Sequence, residues 1–228
     1  MRDIPRSVML FAAGFGTRMG NLTADKPKPL ISVAGKPLID HALDMVRDYG
    51  SERIVANAHY LSDQIRDHLA ETDVLVSHEH PDILETGGGL RHAQPLLGSG
   101  PVFTMNTDAV WLGANPLCIL EQHWEPDGMD ALLLCIPGQN AFGHQGAGDF
   151  LIDGDGRARR GPGSIYSGLQ IIKTDGLETM PDKAFSLNAL WDKMMGKGRL
   201  HATLYSGKWC DVGTADSIAK AEDMLRRT

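Results

Sequence analysis

An α/β fold built on a doubly wound sheet is predicted by three features of the sequence: short, nearly all-apolar runs of strand length, amphipathic segments of helix length between them, and glycine or proline at many of the junctions. The first run, Ser7-Val8-Met9-Leu10-Phe11-Ala12-Ala13, lacks polar alternation and so suits a strand covered on both faces. Pro37 then opens a helical pattern, Leu38, His41, Ala42, Met45 and Val46, which Gly50 can terminate. Residues 53–57 read as a second strand, 61–70 as an amphipathic helix and 74–77 as a third strand. Three glycines precede a short helix at 90–97, followed by a strand at 102–105, a helix at 116–124 and a strand at 131–136.

Residues 137–163 shift to glycine, proline and polar residues, which marks a loop-rich insertion or lid candidate with one strand at 149–152. Asp153 and Asp155 alternate with glycines there and suggest a hairpin turn. The remainder alternates again: a strand at 164–172, a helix at 187–195, a strand at 201–205 and a closing helix at 214–225 with Thr214 as its N-cap. No repeat, heptad run or low-complexity linker divides the chain, so one domain over 1–228 is expected.

With 228 residues, 42% of them hydrophobic, the chain can bury one large core. Its net charge of -7 offers no electrostatic footprint for nucleic acid or an anionic membrane. Any phosphate it binds must meet local positive charge. Three cysteines, odd in number and without CxxC spacing, argue for reduced thiols. No stretch approaches the roughly 18 apolar residues of a membrane span. A cytoplasmic protein without a targeting segment is expected, and the lack of coiled-coil patterns allows a monomer.

The loop after the first strand, Gly14-Phe15-Gly16-Thr17-Arg18-Met19-Gly20, lets backbone N–H groups approach a phosphate chain. It is not a dinucleotide fingerprint: its third glycine falls one residue late and the second strand ends in Ala56-Asn57-Ala58, with no acidic residue. Nor is it a P-loop, because no Lys-Ser or Lys-Thr pair follows the glycines. Instead come Arg18 and then Lys28, the latter held between Pro27 and Pro29. Two cations aimed at one triphosphate make chemical sense. His78-Glu79-His80 lacks metal-motif spacing, so its histidines read as surface or hydrogen-bonding ones, while His144 and Gln145 are candidates for a sugar contact.

The run from Phe11 to Met19, Leu22-Thr23, Pro27-Lys28-Pro29-Leu30 and Val33-Ala34-Gly35-Lys36-Pro37 closely resembles the start of the sugar nucleotidyltransferase family. Leu84-Glu85-Thr86-Gly87-Gly88-Gly89, Asn106-Thr107-Asp108, Gly148-Asp149-Phe150, Ser167-Gly168 and Trp209-Cys210-Asp211-Val212-Gly213-Thr214 extend the resemblance over essentially the whole chain. Order and spacing are most similar to the compact bacterial N-acetylmuramate-1-phosphate uridylyltransferases, cousins of the mannose-1-phosphate guanylyltransferases. The resemblance implies a Rossmann-like, doubly wound mixed sheet with a nucleotide-binding half over about 1–136 and a sugar-phosphate-binding half over about 137–228. It implies that Ala12, Ala13 and Gly14 meet base and ribose, that Gly16, Thr17 and Arg18 meet the outer phosphates, and that Lys28 meets the α-phosphate. Glu85, Thr86 and Gly87 would wall the base pocket. Asn106 and Asp108 form the metal turn, Asp108 and Asp211 would hold Mg²⁺, and Gly148, Asp149, Ser167 and Gly168 would line the sugar-phosphate site. Thr107 stands where the family usually has glycine, a costly exchange if the position needs a positive φ.

The implied reaction suits these residues. A sugar phosphate oxygen is already anionic at neutral pH, so joining it to a nucleoside triphosphate needs no general base; two polyanions must be held in line while charge develops on departing pyrophosphate. Arg18, Lys28 and Mg²⁺ address that need. Two carboxylates fit the one or two that Mg²⁺ takes, the rest of its shell being water and phosphate. Competing expectations are guanylyl transfer to mannose 1-phosphate, a more distant phosphocholine cytidylyltransferase, and a regulatory protein that binds nucleotide sugar without turnover.

Overall fold

The computed structural model describes residues 4–226. Seven strands form the main sheet: β1 (Ser7–Phe11), β2 (Arg53–Ala58), β3 (Val74–His78), β4 (Val102–Asn106), β6 (Ala131–Ile136), β9 (Ile165–Ile172) and β10 (Leu200–Leu204). Their spatial order is β10-β6-β9-β4-β1-β2-β3, with β9 antiparallel to both its neighbours and the other pairs parallel. The sheet is therefore mixed. Helices α1 (Leu38–Tyr49), α2 (Ser62–Leu69), α3 (Glu85–Leu97), α4 (Pro116–His123), α5 (Leu187–Gly196) and α6 (Ala215–Arg226) complete the frame.

Side chains alternate across a strand, and here both faces are covered. Val8 and Leu10 pack with Ile39, Leu43 and Val46 of α1, Ile65 of α2 and Leu120 of α4, whereas Met9 between them packs with Leu90 and Leu97 of α3 and Leu190 of α5. Burial on two sides explains why β1 and β6 are nearly continuous apolar runs. The fold is the doubly wound α/β class that the sequence predicts.

A second, smaller sheet pairs β5 (Ala109–Leu112) antiparallel with β11 (Lys208–Asp211), and residues 141–142 join β11 in parallel. Within 137–163 a hairpin of β7 (Phe150–Ile152) and β8 (Ala158–Arg160) turns at Asp153, whose carboxylate accepts from Asp155 N and Arg157 N at 3.0 and 2.9 Å. The insertion thus carries more strand than its composition suggests.

The sequence places a helix only after the three glycines, but α3 starts at Glu85 and runs through them. Glycine disfavours helix by propensity, yet close packing overrides it here. Gly87 N and Gly88 N, two of the donors a helix start leaves unpaired, bond Phe185 O at 2.8 and 3.1 Å. A Cβ on Gly87 would lie 2.3 Å from the Phe185 ring, and one on Gly88 2.5 Å from Lys183 O. Only residues without side chains let α3 approach the 183–187 segment this closely.

Candidate functional site

Strand β1 ends at Phe11, so Ala12 and Ala13 form the first turn beyond it, buried at the C-terminal edge of the sheet. That edge is where open α/β sheets bind ligands. Ala12 N donates to Asn57 Oδ1 at 2.7 Å, Asn57 Nδ2 donates to Glu79 Oε1 at 2.6 Å, and Glu79 Oε2 accepts from Leu84 N at 2.7 Å. Asn57 and Glu79 are buried. This chain of bonds couples the glycine loop to the ends of β2 and β3 and to the entry of α3. A Cβ on Gly89 would sit 2.5 Å from Glu79 Oε1, so the third glycine makes room for the network.

The loop itself turns at Gly16, whose φ of 65° favours glycine, and a Cβ there would crowd Lys28 Cβ at 2.9 Å. Thr23 Oγ1 donates to Gly16 O and Gly20 O at 3.0 and 3.2 Å and holds the loop closed. Lys28 follows Pro27, which has φ near -67°, and its Nζ donates to Asp108 Oδ2 at 2.7 Å. The pair is well enclosed, with side-chain exposures of 12% for Lys28 and 29% for Asp108.

Asp108 and Asp211, far apart in sequence, are brought together by the small sheet. In the β5–β11 register Asp211 faces Ala109, and Val212 N donates to Asp108 O at 2.8 Å. Gly213 completes the approach: a Cβ there would fall 2.9 Å from Arg18 Nη1 and 3.0 Å from Asp211 Oδ2. Burial, followed by the Asp108 charge, pushes the Asp211 carboxyl above the usual carboxylate range, while Lys28, Arg18 and His144 oppose the shift. Arg18, Lys28, Asp108 and Asp211 therefore meet in one place.

A cavity of about 300 Å³ opens beside them. Ala12, Ala13, Gly14, Gly16, Thr17, Arg18, Lys28, Glu85, Thr86, Asn106 and Asp108 line it, together with Asn57 and Glu79. A second cavity, about 350 Å³, shares Phe11, Thr86 and Asn106 with the first and adds Asp149, Arg160, Tyr166 and Asn188. Thr86 Oγ1 accepts from Leu187 N at 3.0 Å and so fixes the wall between them to α5.

Four predicted contacts have other places. Gly87 is packed under Phe185 rather than exposed to a base. Ser167 is buried, its Oγ donating to Leu134 O at 2.7 Å, and Gly168, with φ 84°, leaves space for the Asn106 side chain. Gly148 lies against Gly163, whose oxygen would be 2.0 Å from an added Cβ. None of these three lines the second cavity. Asp149 does line it, with Oδ2 accepting from Tyr166 N at 2.9 Å.

Thr107 carries no left-handed strain, since the non-glycine residues of positive φ among those described are Ala34, Leu61 and Glu85. Its Oγ1 donates to Phe11 O at 2.8 Å and ties the Asp108 turn to the end of β1. Cys135 and Cys210 are buried, and burial pushes both thiols up to about 12, which removes them as nucleophiles.

With this geometry in place, the family model for the MobA-like NTP transferase domain matches residues 8–220. The chain belongs to that family. Among its relatives is an N-acetylmuramate alpha-1-phosphate uridylyltransferase of Caulobacter vibrioides, 36% identical over 99% of this chain and 99% of that protein. A protein of the same description from Neisseria meningitidis serogroup B is 32% identical over 94% of this chain and 96% of its own. The crystal structure of HddC from Yersinia pseudotuberculosis complexed with GMP-PN shares the fold, with a TM-score of 0.78 at 23% identity over 96% of this chain and 99% of that one.

For this MobA-like chain, sequence reasoning missed Asn57, Glu79 and Arg160. Asn57 is the next-to-last residue of β2, where a polar residue at the C-terminal edge of a parallel sheet is itself a signal. Glu79 sits between two histidines that drew attention away from it. Among the described residues no helix is long and apolar enough to cross a membrane.

Proposed function

We propose that this chain transfers a uridylyl group from UTP to N-acetylmuramate 1-phosphate. The observation that carries the reading is the meeting of Arg18, Lys28, Asp108 and Asp211 beside two adjoining cavities. The full-length match to the Caulobacter and Neisseria relatives supports the choice of substrates. In this account the nucleotide occupies the first cavity and the sugar the second. The sugar phosphate oxygen attacks the α-phosphorus, the bond from that phosphorus to the bridging oxygen breaks, and pyrophosphate leaves. Lys28 and Arg18 offset the charge of the phosphates, and the Asn57–Glu79 network holds the loop that shapes the nucleotide site. Their contribution is position and charge, since no proton must be removed from the nucleophile.

Asp108 and Asp211 are the residues that would hold Mg²⁺, which supplies charge neutralisation for the phosphates when bound. The donor set fits a hard cation. Two carboxylates close enough to raise the Asp211 pKa repel each other, and a divalent ion relieves that repulsion. The sign of the pH dependence follows. Because Asp211 holds its proton more tightly in the folded protein, the metal-free protein loses stability as pH rises from the ordinary aspartate value, about 4, through the raised one. Mg²⁺ should therefore raise the melting temperature at pH 7 and cease to do so at acid pH. Asp211→Asn should raise the melting temperature of the metal-free protein at pH 7 and abolish the Mg²⁺ increment; calorimetry at several pH values checks both.

The test of the reaction is release of pyrophosphate from each of four nucleoside triphosphates against several sugar 1-phosphates. Turnover should be highest with UTP and N-acetylmuramate 1-phosphate. Preference for GTP and mannose 1-phosphate would replace the assignment, and tight binding without turnover would make the chain a regulatory protein.

A further inference from the structure

We infer that Arg160 is the specificity-determining residue for an acidic sugar, recognising the carboxylate that a muramyl phosphate carries on its lactyl ether. The inference rests on the proposed reaction and deepens it.

The two cavities divide the positive charge. Arg18 and Lys28 belong to the phosphate end, beside Asp108 and Asp211. Among the described residues, the lining of the second cavity carries one cation, Arg160, and one carboxylate, Asp149. Asp149 is committed to the backbone, accepting from Tyr166 N at 2.9 Å. Arg160 is therefore a cation that a phosphate held at the other end does not need. A neutral hexose or N-acetylhexosamine brings no anion to it. A muramyl group differs from N-acetylglucosamine by a single carboxylate-bearing substituent, and a guanidinium, charged at any working pH, can give that group a charge-assisted hydrogen bond.

The side chain is held ready. Arg160 Nε and Nη2 donate to Asp192 Oδ1 at 3.0 and 2.9 Å, and Nη2 also reaches Asn188 Oδ1 at 3.2 Å and Asn188 O at 3.4 Å. Its guanidinium carbon lies 5.8 Å from the centroid of the Phe150 ring. These bonds use the Nε and Nη2 side of the fork, so the Nη1 donors remain, enough for a charge-assisted hydrogen bond to a ligand carboxylate though not for a two-nitrogen fork. Arg160 is 43% exposed and Asp192 61% exposed, so their attraction is screened by water and the pair serves to orient the fork. Fixing the rotamer in advance lowers the entropy that a flexible arginine would lose on binding.

The test compares wild type with Arg160→Gln and Arg160→Lys in kcat and KM for N-acetylmuramate 1-phosphate with UTP. Calorimetric binding of that sugar phosphate and of N-acetylglucosamine 1-phosphate is measured alongside. Loss of a charge-assisted pair predicts a rise in KM and Kd of roughly 10- to 100-fold for the muramyl compound in Arg160→Gln. It also predicts little change in kcat, partial recovery in Arg160→Lys, and unchanged affinity for the N-acetylglucosamine compound. Equal weakening for both sugar phosphates, or an unchanged muramyl KM, overturns the assignment. If wild type transfers nothing to the muramyl phosphate, the uridylyltransferase reading has failed, and calorimetry alone then decides on Arg160. A wild-type preference for the acidic sugar that disappears in Arg160→Gln upholds its role; no preference in wild type overturns it.

Discussion

Lys28→Ala lowers kcat/KM by roughly 10²–10³-fold, the loss that follows removal of a preorganised electrostatic contact in an enclosed site. Lys28 has two tasks, and the substitution removes both. In the free protein its ammonium lies 2.7 Å from Asp108 Oδ2 and helps keep Asp211 ionised. When phosphates arrive it offers the same charge to them. Without it Asp108 and Asp211 face each other with less compensation, and Asp211 holds its proton more strongly. Lys28→Arg recovers part of the rate at most, because a planar fork does not replace a compact ammonium between two prolines. Lys26, two residues earlier and exposed, is the control whose replacement leaves the rate unchanged. Steady-state kinetics under saturating Mg²⁺ read all three variants.

Gly88→Ala lowers the melting temperature by about 2–12 °C, from an overpacking cost of roughly 1–3 kcal/mol and about 2–4 °C per kcal/mol for a chain of this size. The sign is informative, since helix propensity alone favours alanine over glycine by about 1 kcal/mol and predicts a gain. Packing should win here. The added methyl would lie 2.5 Å from Lys183 O and 3.3 Å from Ala184 Cα, and backbone cannot rotate aside as a side chain can. Separation of α3 from this segment would also disturb the Thr86–Leu187 bond that fixes the wall between the cavities. A calorimetric melting curve checks it, and a higher midpoint would mean that the segment yields easily.

The same contrast explains what the sequence disclosed. Strands β1 and β6 are covered on both faces, so the apolar runs that announce them are dictated by their position. The start of α3 was hidden because its glycines answer to Phe185 and Lys183, nearly a hundred residues later. Strand β5 was hidden too, since it begins three residues after β4 and its partner β11 is remote in the chain. Arg18 and Lys28 were legible in the glycine-rich and proline-flanked loops after β1, and Asp108 and Asp211 through the motifs that carry the family resemblance. Asn57 and Glu79 act through each other and Ala12, a relation that no local pattern records. Arg160 stands beside Arg159 in a glycine-rich stretch, where a cation reads as solvated until the second cavity is seen.

The most direct measurement is anomalous diffraction from crystals grown with Mn²⁺ and a non-hydrolysable UTP analogue. One manganese peak is expected between the carboxylates of Asp108 and Asp211, with the phosphates reaching Arg18 and Lys28 from the first cavity. Manganese bound elsewhere, or an analogue whose phosphates lie away from Lys28, would contradict the convergence of these four side chains on one ligand.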